Sequence, residues 1–148
     1  MPLVFTENAA DLDWDEVVEL FRLAPLGDRN PLELKTVFAN SIFKCFVFDD
    51  TKLVGAGRVL ADGFYSAYLC DIVVLPSHQR KGIGKQIMER LVALSKSHEK
   101  IILYAVPGKE PFYEKFGFRR MTTAMAIFHD PAGAELRGYL MQDTGVKS

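Results

Sequence analysis

The chain has 148 residues, 49% hydrophobic and 25% charged, with 11 Gly and 7 Pro, which places it among soluble globular proteins of single-domain size. Its 18 Lys and Arg against 19 Asp and Glu leave a formal net charge of −1, arguing against general nucleic-acid binding while permitting a local basic site. Met1-Pro2-Leu3-Val4-Phe5-Thr6-Glu7 has neither a basic n-region nor an apolar h-region, and no apolar run is long enough to span a bilayer. A cytoplasmic protein with no membrane partner is therefore expected.

In chain order, Asp13 followed by Glu16 predicts a capping box, with Trp14, Val17, Val18 and Phe21 on one helical face and an end before Pro25-Leu26-Gly27. Asn30, Pro31 and Glu33 repeat the signature, with Leu34, Val37 and Phe38 as the apolar face of a second short helix. Phe43 to Phe48 and Leu53 to Leu60 are apolar and partly β-branched, and Asp49-Asp50-Thr51-Lys52 between them suits a hairpin turn. Cys45 and Cys70 stand in such runs, where a reduced, packed thiol is the ordinary occupant.

After Asp62-Gly63, the stretch Ser66 to Leu75 is apolar on both faces, which predicts a central strand ended by Pro76. Ile83, Ile87, Leu91 and Leu94 form a helical stripe between Gly82 and His98, and Ile101 to Val106 is the next buried strand. A short helix from Pro111 to Phe116, stopped by Gly117, and an extended segment from Phe118 to Phe128 follow. Asp130-Pro131 then carries a helix-start signal, with Leu136, Tyr139 and Leu140 at helical spacing in a C-terminal extension, 130–148. The expectation is one α/β domain over 1–148, with helices packed on a mixed central β-sheet.

The segment richest in chemistry is Asp71-Ile72-Val73-Val74-Leu75-Pro76-Ser77-His78-Gln79-Arg80-Lys81-Gly82-Ile83-Gly84-Lys85, a buried strand passing through a turn into a helix. Glycine lets a ligand approach the backbone, and the unpaired N–H groups and positive dipole end of a helix favour an anion. Arg80, Lys81 and Lys85 add positive charge, so a pyrophosphate suits this turn. Gly84-Lys85 is followed by Gln86, not the Ser or Thr of a Walker loop. Ile87 stands where a dinucleotide fingerprint needs a third small residue.

Gln79-x-x-Gly82-x-Gly84, preceded by Ile72-Val73-Val74-Leu75-Pro76, resembles motif A of the GNAT superfamily of acyl-CoA-dependent N-acyltransferases. Pro111-Phe112-Tyr113-Glu114-Lys115-Phe116-Gly117-Phe118 resembles that family's motif B, and the order of elements agrees from about Leu12 to Phe128. The resemblance implies a V-shaped cleft holding acetyl-CoA as acyl donor. Ile72, Val73 and Val74 would pair with the pantetheine arm, and Gln79, Arg80, Lys81, Gly82, Ile83, Gly84 and Lys85 would surround the pyrophosphate. It further implies an N-acetyltransferase acting on a primary amine by direct attack in a ternary complex, and a homodimer.

Such chemistry needs a neutral amine, a stabilised oxyanion and a proton for the departing thiolate. Tyr113 occupies the position where many family members, including arylalkylamine acetyltransferases, carry a leaving-group acid. Tyr68 stands where some protein-acetylating relatives carry glutamate, and Cys70 lies near a position used by histidine in arylalkylamine relatives. Asp71 is the remaining carboxylate on this strand and the candidate base, beside a water chain draining the proton to solvent. Strand alternation directs it away from the face of Tyr68 and Cys70, which suits a structural role equally. Backbone N–H groups around Val73 would polarise the thioester carbonyl. His78, His98 and His129 show no metal-ligand spacing, and no metal is expected. Asp62 and Glu110 are acids that would pair with an ammonium, and the aromatic-rich first half permits an aromatic amine pocket. The preferred acceptor is a small molecule; the alternatives are a protein lysine or N-terminus, or a non-catalytic acyl-CoA sensor.

Overall fold

Local capping chemistry starts the first two helices. In the computed structural model, which describes residues 2–143, α1 (Trp14–Leu23) begins at Asp13, whose side chain accepts from the Asp15 N–H. Helix α2 (Pro31–Ala39) begins at Asn30, whose side chain accepts from the N–H groups of Leu32 and Glu33. Glu16 does not close the expected capping box. Its Oε2 accepts from the Leu53 N–H at 2.9 Å, tying α1 to a strand 37 residues away.

The chain forms two compact units, Met1–Leu103 and Tyr104–Ser148. In the first, β1 (Leu3–Thr6), β2 (Phe43–Asp49), β3 (Lys52–Ala61), β4 (Ser66–Val74) and β5 (Lys100–Ile102) form a five-stranded sheet in that order. Neighbours are antiparallel from β1 to β4, and β5 joins β4 in parallel after the crossover helix α3 (Ile83–Ser95). The middle strand is β3, so β4 is one place off the centre that its apolar sequence predicted. Phe46 of β2 meets Phe38 of α2 with ring centroids 5.0 Å apart, and Trp14 of α1 closes the cluster on both.

Helix α3 covers the opposite face through Ile83, Ile87, Met88 and Leu91, all buried. Leu94, expected in that stripe, is exposed; Ser95 is buried in its place, with its hydroxyl donating to the Leu91 carbonyl at 2.8 Å. The helix comes down over Gly55 and Gly57 of β3, where a Cβ on Gly57 would lie 2.9 Å from both Ile87 and Leu91.

One irregularity shapes the site. Arg58 pairs with Cys70 and Ala56 with Val73, so Asp71 and Ile72 together oppose Gly57 in a β-bulge. Asp71 has φ +53, a left-handed conformation that costs a non-glycine residue about 1 kcal/mol.

In the second unit, α4 (Glu110–Glu114) ends ahead of Gly117, at φ +93, and α5 (Pro131–Leu136) is capped by Asp130. The segment expected to be extended, Phe118 to Phe128, joins no strand ladder, and its Met125 and Ile127 are fully exposed. The strand expected from Ile101 to Val106 is shortened to Lys100–Ile102. Tyr104, Phe128 and Tyr139 form a ring cluster, whereas Leu136, from the expected stripe, is exposed. The end of the expected extension, 144–148, lies outside the described residues. Among the described residues no helix is long and apolar enough to cross a membrane.

Candidate active site

The donor side is built from the end of β4 and the start of α3. Parallel pairing with β5 runs from Ser66↔Lys100 to Tyr68↔Ile102 and stops there, whereas pairing with β3 continues to Val74↔Gly55. Beyond Tyr68, β5 gives β4 no partner. Ile72, Val73 and Val74 thus lie on a strand whose second edge can take an extended chain of amides.

A braced turn follows. The Leu75 N–H donates to the Val54 carbonyl at 2.9 Å, and the Gln79 side-chain amide donates to the Val74 carbonyl at 3.0 Å. Between them, in the 3-10 turn Pro76–His78, His78 Nε2 lies 2.8 Å from Asp49 Oδ2 and His78 Nδ1 lies 2.7 Å from Ser77 Oγ. Gln79 and His78 are therefore braces of the turn, a role their sequence positions did not announce.

Arg80 at φ +63 and Gly82 at φ +79 then swing the chain into α3. Helices α1, α2 and α5 are capped by their own Asp13, Asn30 and Asp130, whereas no side chain caps the short α4 or, at Gly82, the long α3. The Gly82 carbonyl accepts from Gln86, and the first-turn N–H groups of Ile83, Gly84 and Lys85 have no acceptor within the helix. A Cβ on Gly82 would meet no atom within 4 Å, so the backbone at the N-cap itself is open. Arg80, Lys81 and Lys85 are exposed around it, with Lys85 Nζ 3.8 Å from Glu89. Uncapped donors, a helix dipole, three cations and open space fit a diphosphate.

The bulge brings a second group together. Arg58 Nε lies 2.7 Å from Asp71 Oδ2, each side chain 14% exposed, and Arg58 Nη1 lies 3.3 Å from Ser41 Oγ. Arg58 is the cross-strand partner of Cys70. The extra residue of the bulge thus returns Asp71 to the side of Cys70, correcting the expectation from simple alternation. Burial pushes the Cys70 thiol up, with Arg58 opposing and Asp71 adding to the rise, so it is protonated at neutral pH. Burial pushes the Cys45 thiol up to about 11.

Asp62 and Glu110 are engaged locally. Asp62 Oδ1 accepts from the N–H groups of Phe64, Tyr65 and Ser66 at 2.7–3.0 Å. Glu110 accepts from the Gly108 N–H at 3.1 Å and from Arg120 at 3.4 Å. In the second unit, Tyr113 on α4 is flanked by the rings of Phe112 and Phe118 at 5.1 and 6.4 Å. Burial pushes its phenol up, and Tyr139 adds to the rise; the group is a proton donor throughout the neutral range.

Sequence reasoning missed Arg58, Ser41 and the paired Gly55 and Gly57. The run Val54-Gly55-Ala56-Gly57-Arg58 carried the usable signal, since glycine inside a strand marks close backbone approach.

The five-stranded mixed sheet flanked by helices is the architecture of acetyltransferase structures, and comparison with known proteins gives the chain its family. Residues 26–126 match the model of the acetyltransferase (GNAT) domain, and the chain belongs to that family. It is 43% identical over 119 residues to serotonin N-acetyltransferase 2, chloroplastic, of Oryza sativa subsp. japonica, a match covering 75% of this chain and 58% of that protein. It is 41% identical over 69 residues to GCN5-related N-acetyltransferase 3, chloroplastic, of Arabidopsis thaliana, covering 45% of this chain and 29% of that one. Among solved structures, the probable acetyltransferase from meticillin-resistant Staphylococcus aureus superposes with a TM-score of 0.76 at 25% identity, covering 86% of this chain and all of that one.

Proposed function

We propose that this protein transfers acetyl from acetyl-CoA to the primary amine of a small aromatic alkylamine. The observation that carries the reading is the start of α3: the long helix has no side-chain cap, and a Cβ on its N-cap Gly82 would meet no atom within 4 Å. The aromatic amine named in the rice relative, 43% identical, supports the acceptor class.

In this reading the pantetheine amides add to the free edge of β4 at Ile72, Val73 and Val74. Gln79 holds the turn, and Arg80 through Lys85 grip the pyrophosphate. An alkylamine has a pKa near ~10.4 and must lose a proton before it attacks. Water carries that proton away, because the Asp71 carboxylate is engaged by Arg58. The nitrogen lone pair forms a C–N bond to the thioester carbon, a backbone N–H near Val73 steadies the oxyanion, and collapse breaks the C–S bond. The thiolate takes its proton from Tyr113, and the surplus proton on the newly acylated nitrogen, passed through water, restores the phenol; the role is supported by the motif-B match and by burial that keeps the phenol protonated. The same proposal includes a homodimer, checked by mass measurement in solution.

Release of CoA thiol by the purified protein, measured with tryptamine-like amines, lysine peptides and peptides with free N-termini, tests the proposal. Release with the amines alone is the expected result. Release with peptides alone assigns a protein acceptor instead, and CoA binding without any release assigns a sensor.

A further inference from the structure

We infer that Arg58 is a positioning residue for acetyl transfer, clamping the β4 bulge to the end of α2. The inference rests on the acetyl-transfer reading and assigns a task to a side chain that the sequence pattern does not single out.

Asp71 adopts φ +53 without being glycine, a conformation that aspartate visits at a small cost and that an added contact can hold in place. The bond from Arg58 Nε to Asp71 Oδ2, at 2.7 Å and largely shielded from water, is such a contact. Arg58 Nη1 reaches in the other direction, to Ser41 Oγ at 3.3 Å. Ser41 is 2% exposed, and its hydroxyl donates to the Val37 carbonyl at 2.6 Å in the last turns of α2. Lys44, the cross-strand partner of Arg58, secures the same corner, its ammonium donating to the Phe38 and Ser41 carbonyls at 2.9 and 3.0 Å. One planar guanidinium therefore links two segments that share no backbone hydrogen bond.

The position of the clamp gives it consequence. The bulge begins three residues past Tyr68, where β5 ceases to pair with β4. The peptide after Asp71 leads into Ile72 and Val73, the backbone assigned to the pantetheine arm and the thioester carbonyl. Rotating Asp71 out of its left-handed conformation re-aims those N–H groups. The pyrophosphate turn, braced separately by Asp49, His78 and Gln79, is untouched. Loss of Arg58 should therefore injure the chemical step far more than the grip on CoA, which loses some pantetheine pairing but keeps its pyrophosphate turn, a split that general loss of stability does not produce. Lysine should not replace it, since its compact ammonium lacks the planar fork that reaches Asp71 through Nε and Ser41 through Nη1.

The test combines Arg58→Met, Arg58→Lys and the double variant Arg58→Met/Asp71→Gly. Both single variants should bind CoA within about threefold of wild type while kcat falls about 10- to 100-fold, the scale of a misplacement near 1 Å. Glycine takes up a positive φ freely, so adding Asp71→Gly should recover most of the lost kcat. The Ile72 and Val73 amide resonances should move in Arg58→Met and return in the double variant, whether or not an acceptor has been found. An unchanged kcat, a CoA affinity that falls in step with kcat, or a double variant no better than Arg58→Met overturns the inference. If wild type turns over no amine, the acetyl-transfer reading fails, and amide resonances that stay fixed in Arg58→Met then overturn the clamp separately.

Discussion

Gly57 and Ile72 meet so closely that a Cβ built on Gly57 would lie 2.7 Å from Ile72 Cδ1, with Ile87 and Leu91 of α3 next at 2.9 Å. The missing side chain lets α3 settle directly onto β3, which sets the height of its first turn against the edge of β4. Gly57→Ala should destabilise the protein by about 1–3 kcal/mol, the range for overpacking a filled core. Gly55→Ala is the internal comparison, because there a Cβ meets Ile87 Cδ1 at 3.1 Å and the Val73 carbonyl at 3.3 Å. Thermal denaturation should rank Gly57→Ala as the less stable; the reverse order contradicts this account of how α3 is seated.

Gly82 presents the opposite situation. A Cβ there meets nothing within 4 Å, so a side chain would fit the folded protein sterically, but φ +79 strains any L residue. Gly82→Val should fold with a modest loss of about 1–2 kcal/mol from the left-handed backbone. Its side chain would stand at the N-cap of α3, in the proposed pyrophosphate site, and CoA affinity measured by calorimetry should fall by about tenfold or more, equivalent to ~1.4 kcal/mol. Intact affinity in the folded variant would remove this turn from the binding site.

Which parts of this could be read from the sequence follows from how local each cause is. Asp13 and Asn30 mark helix starts because a cap acts on an N–H two or three residues away. The turn from Gln79 to Lys85 is similarly legible, since glycine conformation and an uncapped helix start lie within one short segment. Glu16 misled because its partner, the Leu53 N–H, is supplied by the tertiary fold. The Asp71 bulge was hidden for the same reason: it is a mismatch between β3 and β4, and β4 alone reads as regular alternation. Arg58 then acquired its partners Asp71 and Ser41 only through that mismatch and the approach of α2. Phe118 to Phe128 is extended in composition, but composition supplies no neighbouring strand to pair with.

Tyr113 carries a separable prediction. Tyr113→Phe keeps the ring that lies beside Phe112 and Phe118 and removes only the hydroxyl. Acetyl-CoA affinity should be retained, whereas kcat should fall by about 10²-fold or more, the contribution of a general acid. Burial pushes the phenol up from its ordinary value of 10.0, so wild-type kcat should show no loss from Tyr113 ionisation below about pH 10. Single-turnover rates from pH 7 to 10 for both proteins check this; an unchanged chemical rate in Tyr113→Phe transfers the acid role elsewhere.

Asp62 makes the turn entering β4 sensitive to acid in a defined window. The N–H groups of Ser66, Phe64 and Tyr65 converge on its carboxylate and lower its pKa from 3.8 to about 2, with Ser66 the largest contributor. Because the folded-state value lies below the unfolded one, the stabilisation is complete above pH ~4 and is lost as pH falls through the interval down to about 2. Asp62→Asn keeps an acceptor oxygen but lacks the charge, so wild type should exceed it in stability by a constant amount near neutrality. That gap should shrink as pH approaches 2. His98, whose Nε2 accepts from the Gly63 N–H at 3.1 Å, is the last and smallest of the contributors to the lowered Asp62 pKa. Denaturant unfolding at a series of pH values measures the gap, and a gap that widens on acidification reverses the sign and refutes the assignment of the turn to a charged cap.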